Sequence, residues 1–339
     1  MKRPPAAVLA VDGGNSKADL ALVARDGTLL AAVRGPTISH QQVGVEEGIV
    51  RLGRLAAAAA RRAGLLDSSA APLADVGLYS VAGADFAGET RMLTHAFAET
   101  GLTRRTEVLN DTRAALRAGT DHPWGVVLIC GAGVNAAAVG PTGRTARLAA
   151  LGPISGDRGG GRDLGMGALG AAVRARDGRG PRTAFEGLVP AHFGLKRPEA
   201  VTRAIYEGRI PEQRLLELAP LVFNAARSGD AVARGLLDRL ADELATMAIA
   251  MTRRVGLARS AFDVVLAGGV FQNHDDAFLG RLDTAVRAVA PKAHLAPLRS
   301  PPLVGAALLG LDRIGSGVSR AAEERLREAC AAMGTPPRI

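Results

Sequence analysis

The sequence predicts an α/β protein made of two related domains, and three observations support this fold class. The length of 339 residues suits two domains of ordinary size. A pattern of strand, glycine loop, strand, tight turn and strand occurs twice, at residues 8–33 and 126–151. Apolar residues at helical spacing follow each copy. We therefore expect a duplicated unit whose two halves face one another, with a glycine loop from each half lining the cleft.

The first predicted domain covers residues 1–120. Its first apolar run ends at Asp12-Gly13-Gly14, and its second ends at Arg25-Asp26-Gly27, which is typical of a hairpin turn. The predicted elements in order are strands at 8–11, 20–24 and 29–33, a helix at 45–59, a strand at 76–81, a helix at 91–99, a strand at 107–109 and a helix that begins at 110–112.

The second predicted domain covers residues 121–317 and contains a helical insertion. Its predicted elements are strands at 126–129, 136–139 and 145–151, mostly helical segments at 171–260, a strand at 264–266 and a helix that begins near Pro301. The last helix, at about 318–335, is expected to join the first domain.

Composition and charge narrow the classes of function. The net charge of +9, from 42 basic and 33 acidic residues, could attract polyanions. The arginines are spread along the chain, however, and aromatic residues make up only 3%, which disfavours stacking on bases. We therefore predict no nucleic-acid partner. Cys130 and Cys330 lie far apart in sequence and form neither a metal-spacing motif nor a disulfide framework.

The sequence also carries no sign of a membrane span. No apolar stretch of about 20 residues lacks charge or glycine, and the apolar run near the N-terminus is too short for a signal peptide. We therefore expect no membrane partner and a cytoplasmic location. The six histidines are scattered, which disfavours a zinc site.

The first glycine loop has the composition of a phosphate-binding turn. Its residues are Asp12, Gly13, Gly14, Asn15, Ser16 and Lys17. Two glycines let backbone N–H groups approach a phosphate, and Asn15 can adopt a left-handed conformation. Asp12 could hold hydrated Mg²⁺, and Ser16 or Lys17 could contact phosphate oxygens. An ordinary hairpin turn explains the same residues and, for this loop alone, is the better explanation.

The second glycine loop occupies the same place in the second copy. It reads Gly131, Ala132, Gly133, Val134 and Asn135. Two loops at symmetric positions suit a triphosphate held between two hairpins, so the pair is more informative than either loop alone. Two ordinary turns and a nucleotide site remain equally good interpretations from the residues themselves.

Three further positions carry candidate chemistry. Asp111 follows a strand end, where it could cap a helix or accept the proton of a substrate hydroxyl during phosphoryl transfer. Asp157 lies in the glycine-rich segment 156–161, either a surface loop or a loop that closes on sugar-like hydroxyls. Gly268-Gly269 with Asn273 indicates either close helix–strand packing or a flat backbone surface for adenine.

Taken in order, these segments resemble five motifs of the superfamily of sugar kinases, actin and heat-shock ATPases. They are 12–17, 110–111, 131–135, 156–157 and 267–273. The resemblance is greatest to the N-acetylglucosamine kinase family, which shares a sequence family with the BadF/BadG/BcrA/BcrD ATPases. It covers roughly residues 8–315, and the order and spacing of the motifs are more specific than any one of them.

The resemblance implies two ribonuclease-H-like (actin-like ATPase) domains with an interdomain nucleotide cleft, and ATP and Mg²⁺ as cofactors. It places Asp111 at the catalytic base and Asp12 at the metal, through water. The implied ATP-binding residues are Asp12, Gly13, Gly14, Asn15, Ser16, Lys17, Gly131, Ala132, Gly133, Gly268, Gly269 and Asn273. The implied substrate-binding residues are Ser39, His40, Asn135, Gly152 and Asp157.

Several departures from the family pattern fall on the sugar side. Gly-Thr-Gly-Ser-Asn of the family is replaced by a loop that lacks both hydroxyls, at Ala132 and Val134. The family's Gly-Trp-Gly-His before the aspartate is replaced by Leu151-Gly152-Pro153, and Arg158 replaces a glutamate. These changes put N-acetylglucosamine itself in question more than ATP.

The resulting functional hypothesis is ATP-dependent phosphorylation of a sugar hydroxyl, most readily on an amino sugar such as N-acetylglucosamine or glucosamine. The predicted partner is that small-molecule sugar, and the resemblance allows a homodimer. One alternative is a sugar or nucleotide sensor with reduced catalysis. A second is an ATPase that activates 2-hydroxyacyl-CoA dehydratases, which is disfavoured because the chain lacks cysteines spaced for an iron–sulfur cluster.

Overall fold

The computed structural model describes residues 6–65, 72–315 and 317–339 and divides into two compact units. The first unit comprises the chain up to Pro123 together with Leu298–Ile339, and the second comprises Trp124–Pro297. Each unit contains a five-stranded mixed sheet. The α/β class and the duplicated sheet predicted from the sequence are therefore confirmed.

The first unit is built on a sheet whose central strand is buried on both faces. Its elements in chain order are β1 (Ala6–Gly13), β2 (Lys17–Val23), β3 (Leu29–Pro36), α1 (His40–Val43), α2 (Val45–Ala63), β4 (Ala74–Val81), α3 (Ala87–Glu99), β5 (Thr103–Asn110) and α4 (Asp111–Gly119). The strand order is β3-β2-β1-β4-β5. Because β1 is central, its apolar run is almost wholly buried, as in sheets covered on both faces.

Strand direction in this sheet brings the candidate residues to one edge. β1, β4 and β5 are mutually parallel, whereas β2 and β3 are antiparallel to their neighbours. Parallel strands present their carboxyl ends at the same edge of a sheet, where ligands of α/β proteins commonly bind. Asp12 at the end of β1 and Asn110 at the end of β5 therefore lie along this edge.

The second unit repeats the same strand arrangement. Its elements in chain order are β6 (Gly125–Cys130), β7 (Val134–Val139), β8 (Thr145–Arg147), α5 (Gly161–Arg176), α6 (Phe185–His192), α7 (Pro198–Tyr206), α8 (Ala219–Arg227), α9 (Ala231–Val255), β9 (Phe262–Ala267), α10 (Asp276–Val289) and β10 (Ala293–Pro297). Short 3₁₀ segments occur at Gly152–Ser155, Glu212–Leu218 and Gly269–Gln272. The order β10-β9-β6-β7-β8 matches that of the first sheet, strand for strand. β8 ends four residues before the predicted strand end at 151, and Ala150 has a positive φ of 55°, which a strand does not accommodate.

The chain returns to the first unit after β10. Two further helices, α11 (Pro302–Leu311) and α12 (Arg320–Met333), lie there. The second domain therefore ends at Pro297, whereas the sequence placed its end at 317. The reason is burial: every residue of Leu303–Leu311 is buried, and α11 packs against β1 and α4. None of the described helices is both long and apolar enough to cross a membrane.

Gly305 allows α11 to lie directly against α4. A Cβ at this position would lie 1.9 Å from the carbonyl oxygen of Ala114. Gly305→Ala should therefore force the two backbones apart and lower the free energy of unfolding by about 3 kcal/mol. Chemical denaturation measures the change.

Gly280 on α10 provides a matched control for this substitution. Its added Cβ would meet no atom within 4 Å, so Gly280→Ala should be neutral or stabilising by up to ~1 kcal/mol. Equal stabilities of the two variants would contradict the close approach of α11 to α4.

Candidate functional site

Asp12 is a half-buried carboxylate at the end of β1. Burial raises the pKa of Asp12 to about 7, and the negative charges of Asp111 and Asp19 add to the effect. Lys17 and Arg34 act in the opposite direction. The structure therefore brings Asp12 and Asp111 near enough to repel one another, so Asp12 takes up or releases a proton near neutral pH.

A buried ion pair, missed by the sequence analysis, lies beside Asp12 on the same face of the sheet. The side chain of Asp19 on β2 is 4% exposed, and Arg34 on β3 donates to both of its oxygens at 2.6 Å. A buried carboxylate requires such a partner. The signal in the sequence was a single aspartate inside the otherwise apolar run of β2.

The first glycine loop is a tight turn between β1 and β2. The Gly14 N–H donates to the Lys17 carbonyl at 2.9 Å. A Cβ at Gly13 would lie 2.8 Å from Cγ1 of Val81, so packing alone requires glycine there. Asn15 does not adopt the left-handed conformation expected from the sequence, because Ala150 is the only non-glycine residue with positive φ in the described ranges. Asn15, Ser16 and Lys17 are exposed.

The loop after β3 is tied to this glycine loop by two side-chain hydrogen bonds. The Thr37 hydroxyl donates to the Gly14 carbonyl at 2.7 Å, and the Ser39 hydroxyl donates to Oδ1 of Asn15 at 2.7 Å. Ser39 is 1% exposed. Its hydroxyl thus holds Asn15 in place, and the substrate contact implied by the resemblance stays a prediction.

The Asn15–Ser39 contact should appear as a coupling in a double-mutant cycle. Ser39→Ala and Asn15→Ala should each lower the free energy of unfolding by about 1 kcal/mol, because each removes one hydrogen bond from a buried hydroxyl. The double variant should lose about as much as one single variant. Thr94→Ala removes a hydroxyl that bonds only its own helix, and serves as the control for both measurements. Strict additivity of the two losses would contradict the pairing.

Asn110 caps α4 and leaves Asp111 as the first residue of the helix. Oδ1 of Asn110 accepts hydrogen bonds from the backbone N–H of Thr112 at 3.2 Å and from its hydroxyl at 2.7 Å. Nδ2 of Asn110 donates to Oδ1 of Asp85 at 3.0 Å. Asn110 is therefore the residue that caps the N-terminus of α4. Asp111 does not occupy the capping position.

His40 lies in a small polar cluster that the sequence analysis only partly anticipated. A Cβ at Gly83 would lie 2.6 Å from Cε1 of His40, so the ring is packed closely on that glycine. Nε2 of His40 lies 3.7 Å from Oε1 of Glu89. Nδ1 of His40 is buried and has no hydrogen-bond partner in the part of the chain that the structure describes. A buried polar atom of this kind is suited to a ligand contact.

Asp85 and Glu89 lie in the same polar cluster as Asn110 and His40, and the sequence did not single them out. Asp85 accepts hydrogen bonds from Asn110 and, at 3.4 Å, from Nε2 of Gln41. Glu89 accepts the backbone N–H groups of Asp85 and Phe86 and so fixes the start of α3. The only signal in the sequence was a glutamate three residues into a helix.

In the second unit, the second glycine loop is bound to the start of α5. The Gly161 N–H donates to the Gly131 carbonyl at 2.7 Å, and the Arg162 N–H donates to the Ala132 carbonyl at 3.0 Å. A Cβ at Gly131 or at Gly133 would meet no atom within 4 Å. Packing therefore does not explain these two glycines, and their open backbone suits the close approach of a ligand.

The two glycines after β9 fit different explanations. Close packing explains Gly268, whereas the open backbone at Gly269 fits a surface for adenine. Gly268 has a positive φ of 104°, and a Cβ there would lie 2.3 Å from the carbonyl oxygen of Cys130, so close packing requires it. A Cβ at Gly269 would meet nothing within 4 Å. Nδ2 of Asn273 donates to the carbonyls of Gly269 and Val270 and holds the turn.

Asp157 and Asn135 make local contacts in the second unit. Oδ2 of Asp157 accepts hydrogen bonds from the Gly152 N–H at 3.1 Å and from the Ser155 hydroxyl. Oδ1 of Asn135 accepts the N–H of Ala136 at 2.8 Å. Asp157 thus closes its own loop, as in the turn interpretation, and remains half-buried.

The family follows from a comparison with known proteins. Residues 9–310 match the model of the BadF/BadG/BcrA/BcrD ATPase family. The chain belongs to this family. The family predicted from the sequence is therefore confirmed.

Relatives of this BadF/BadG/BcrA/BcrD ATPase include named kinases. The chain is 28% identical over 277 residues to the N-acetylmuramic acid/N-acetylglucosamine kinase of Clostridium acetobutylicum, with 78% of this chain and 86% of the relative covered. It is similar to a solved structure from Chromobacterium violaceum assigned as an N-acetylglucosamine kinase, with 25% identity, a TM-score of 0.69 and coverage of 89% of this chain and 98% of that one.

A further solved structure supports the fold. It is a glucokinase from Streptomyces griseus in complex with glucose and AMPPNP, at 16% identity and a TM-score of 0.54, covering 90% of this chain and 97% of that one. The predicted actin-like ATPase fold is confirmed by these likenesses, and the predicted enzyme class, an ATP-dependent kinase, is confirmed as well.

The predicted site residues of this ATPase are divided between its two units. The first unit holds Asp12, Gly13, Gly14, Asn15, Ser16, Lys17, Ser39, His40 and Asp111, and the second holds Gly131, Ala132, Gly133, Asn135, Gly152, Asp157, Gly268, Gly269 and Asn273. Within the first unit the structure brings Asp12 close to Asp111 and Asn15 to Ser39. Within the second it brings 131–133 to the start of α5, and Gly268 to the end of β6.

Proposed function

We propose that this protein transfers a phosphoryl group from ATP to a hydroxyl of an amino sugar, N-acetylglucosamine or a close relative, with Asp111 as the general base. One observation carries the proposal: Asp111 opens α4 beside Asp12, while Asn110 does the capping that would otherwise explain an aspartate at this point. The kinase names of the Clostridium and Chromobacterium relatives support the amino sugar as substrate class.

The surroundings of Asp111 suit a proton acceptor. A helix N-terminus favours negative charge in its first turn, which is where Asp111 lies. In phosphoryl transfer this group takes the proton of the attacking hydroxyl and orients its oxygen towards the phosphorus. A general base of this kind contributes about 10²–10⁴ in rate.

Asp12 is the residue that fits the predicted Mg²⁺, through water. Burial and the negative charges of Asp111 and Asp19 raise its pKa, and a nearby cation would stabilise the ionised carboxylate. No group of three or more His, Cys, Asp or Glu side chains suited to a metal occurs within the described ranges, so ATP phosphates and water would have to supply the remaining ligands. When bound, the ion supplies charge neutralisation for the transferred phosphoryl group.

We propose that main-chain groups, rather than side chains, make most of the contacts with the nucleotide. Gly131, Gly133 and Gly269 are glycines whose Cβ would meet no protein atom, which leaves room for phosphate or adenosine close to the main chain. On the sugar side we propose His40, Asn135, Gly152 and Asp157. Ser39 would act indirectly, by holding Asn15.

ADP release with a panel of acceptors tests the proposed function. The panel contains N-acetylglucosamine, glucosamine, other N-acyl amino sugars and plain hexoses, at fixed ATP and Mg²⁺. Turnover is expected with at least one amino sugar, at a kcat/KM well above that for glucose. Turnover confined to hexoses would overturn the amino-sugar assignment. No turnover with any sugar would favour the sensor, which the missing hydroxyls at Ala132 and Val134 motivate.

The placement of the two cysteines disfavours the dehydratase-activating alternative. Cys130 and Cys330 are both buried, and they belong to different units. Burial raises the pKa of Cys130 to about 12 and that of Cys330 to about 11. An iron–sulfur cluster needs thiolates that can reach the metal, so neither cysteine is suited to it.

A further inference from the structure

The helix α4, which begins at Asp111, is held at its opposite end by α12. Nη1 of Arg327 on α12 donates to the Ala118 carbonyl at 2.7 Å, and Nη2 donates to the Arg117 carbonyl at 3.3 Å. Carbonyls in the last turn of a helix have no partner within it, and a positive charge there is favourable. Because Asn110 caps the first turn, α4 is fixed at both ends.

Glu323 of α12 joins the two helices through a second set of contacts. Nη1 and Nη2 of Arg117 on α4 donate to its two carboxylate oxygens at 3.0 and 2.9 Å. Nε and Nη2 of Arg327 donate to Oε1 of the same carboxylate at 3.0 and 2.7 Å. Nε of Arg117 also donates to Oδ2 of Asp312 at 3.3 Å. The side chains of Arg117 and Glu323 are only 8% and 15% exposed, so the network is largely shielded from water.

This network constrains the placement of α4. A buried ion pair contributes little net stability, because removing its charges from water offsets much of their attraction. Paired contacts between a planar guanidinium and a carboxylate nevertheless fix the directions of both groups. A tilt or rotation of α4 against α12 would break several of these contacts at once, so the network specifies one arrangement of the two helices.

Asp111 lies at the other end of the same short helix. The nine residues of α4 span about 13 Å. A tilt about the end that α12 holds therefore displaces the Asp111 carboxylate. In catalysis a misplacement of about 1 Å can lower a rate by about 10²-fold, even when the change that causes it is far from the reacting atoms.

We propose that Arg327 and Glu323 are positioning residues for phosphoryl transfer, because they hold α4 so that Asp111 meets the substrate hydroxyl. The inference rests on the proposed role of Asp111 as the base. Arg327 lies at the remote end of α4, so it acts through the placement of the base and not on the reacting atoms. The C-terminal helix, which contains none of the motif residues, thereby takes part in catalysis.

Steady-state kinetics of Arg327→Gln test this role. kcat for the sugar should fall about 10–100-fold, while KM for ATP and KM for the sugar stay close to those of the wild type. Arg281→Gln is the matched control, since it removes a two-contact ion pair to Asp242, at 2.6 and 2.8 Å, between helices that carry no proposed site residue. Its kcat should be unchanged, and an equal fall in both variants would overturn the proposal.

Thermal unfolding of each variant sets an assay temperature at which the protein is folded. Arg327→Lys is the milder variant, because it keeps one charged donor but cannot make all the contacts of the guanidinium. Its kcat should fall by a smaller factor than that of Arg327→Gln, and it carries the test if Arg327→Gln does not fold.

A double-mutant cycle on kcat tests whether Arg327 acts through Asp111. In the Asp111→Asn background, Arg327→Gln should cause no further loss, because a base that is absent cannot be misplaced. Additive losses, or a wild-type kcat in folded Arg327→Gln, would contradict the positioning role and leave Asp111 as the base. A wild-type rate in Asp111→Asn, or no turnover of any sugar by the wild type, is instead a failure of the proposed function and removes this inference with it.

Discussion

Asp111→Asn should lower kcat for sugar phosphorylation by about 10²–10⁴ while ATP affinity stays close to that of the wild type. The amide keeps the size of the side chain but cannot accept the hydroxyl proton. Asn110 still caps α4 in this variant, so the helix should form as before. Single-turnover rates together with ATP binding by calorimetry separate the chemical step from nucleotide binding.

Asp75→Asn is the control for this change. Its side chain is 38% exposed and lies 3.9 Å from Arg25 and 3.6 Å from Arg104, distances at which surface ion pairs contribute little. It should leave kcat unchanged. If folded Asp111→Asn turned over at the wild-type rate, Asp111 would not be the base. A loss of ATP affinity as large as the loss of rate would make its role one of binding.

Asp12→Asn should abolish most Mg²⁺-dependent turnover, by about 10²-fold or more, and yet stabilise the fold above neutral pH. Turnover falls because the variant lacks the carboxylate proposed to hold the hydrated ion. Stability rises because an ionised Asp12 is half-buried and faces the negative charges of Asp111 and Asp19. A residue that costs stability and is needed for activity is typical of a functional site.

The sign of the pH dependence follows from the two pKa values of Asp12. In the folded state the pKa is about 7, against an ordinary value of 3.8 for an aspartate in an unfolded chain. Between these values the folded state binds more protons than the unfolded state, so the free energy of unfolding falls as pH rises. The full displacement corresponds to roughly 4 kcal/mol. Contact of the carboxylate with solvent reduces it, and we expect about 2 kcal/mol.

Denaturation of the wild type and Asp12→Asn from pH 4 to pH 8 measures this effect. The advantage of the variant should be near zero at pH 4 and reach its plateau above pH 7. Asp26 supplies a control of opposite sign, because the Thr28 N–H lowers the pKa of this exposed carboxyl. Asp26→Asn should lose stability relative to the wild type as pH rises. A pH-independent difference for Asp12→Asn would contradict the raised pKa.

The duplicated architecture could be predicted because its signals are local. Each copy carries its strand alternation and its turns within one short stretch of chain, at 8–33 and 126–151. The return of α11 to the first unit could not be predicted in this way, because it depends on which distant surface covers an apolar helix. The sequence shows that Leu303–Leu311 must be buried, and only the structure shows against what.

For the candidate site, the sequence gives the type of each residue but not the contacts that its side chain makes. The hydroxyl of Ser39 looks the same in the sequence whether it faces a ligand or a neighbour, and its contact with Asn15 comes from 24 positions away. Glycines present the same difficulty. Packing requires Gly268, whereas it does not require Gly131, although both lie in loops of similar composition.

The interrupted first unit has a consequence for how the chain folds as it is synthesised. The face of β1 that carries Val8 and Ala10 is covered by α11, which the ribosome produces only after the whole second unit. Until residue 311 emerges, this apolar surface lacks its native cover, while the second unit can already close around its own core. The second unit should therefore be the earlier to mature on the ribosome, and the nascent first unit should be the part that needs protection from aggregation.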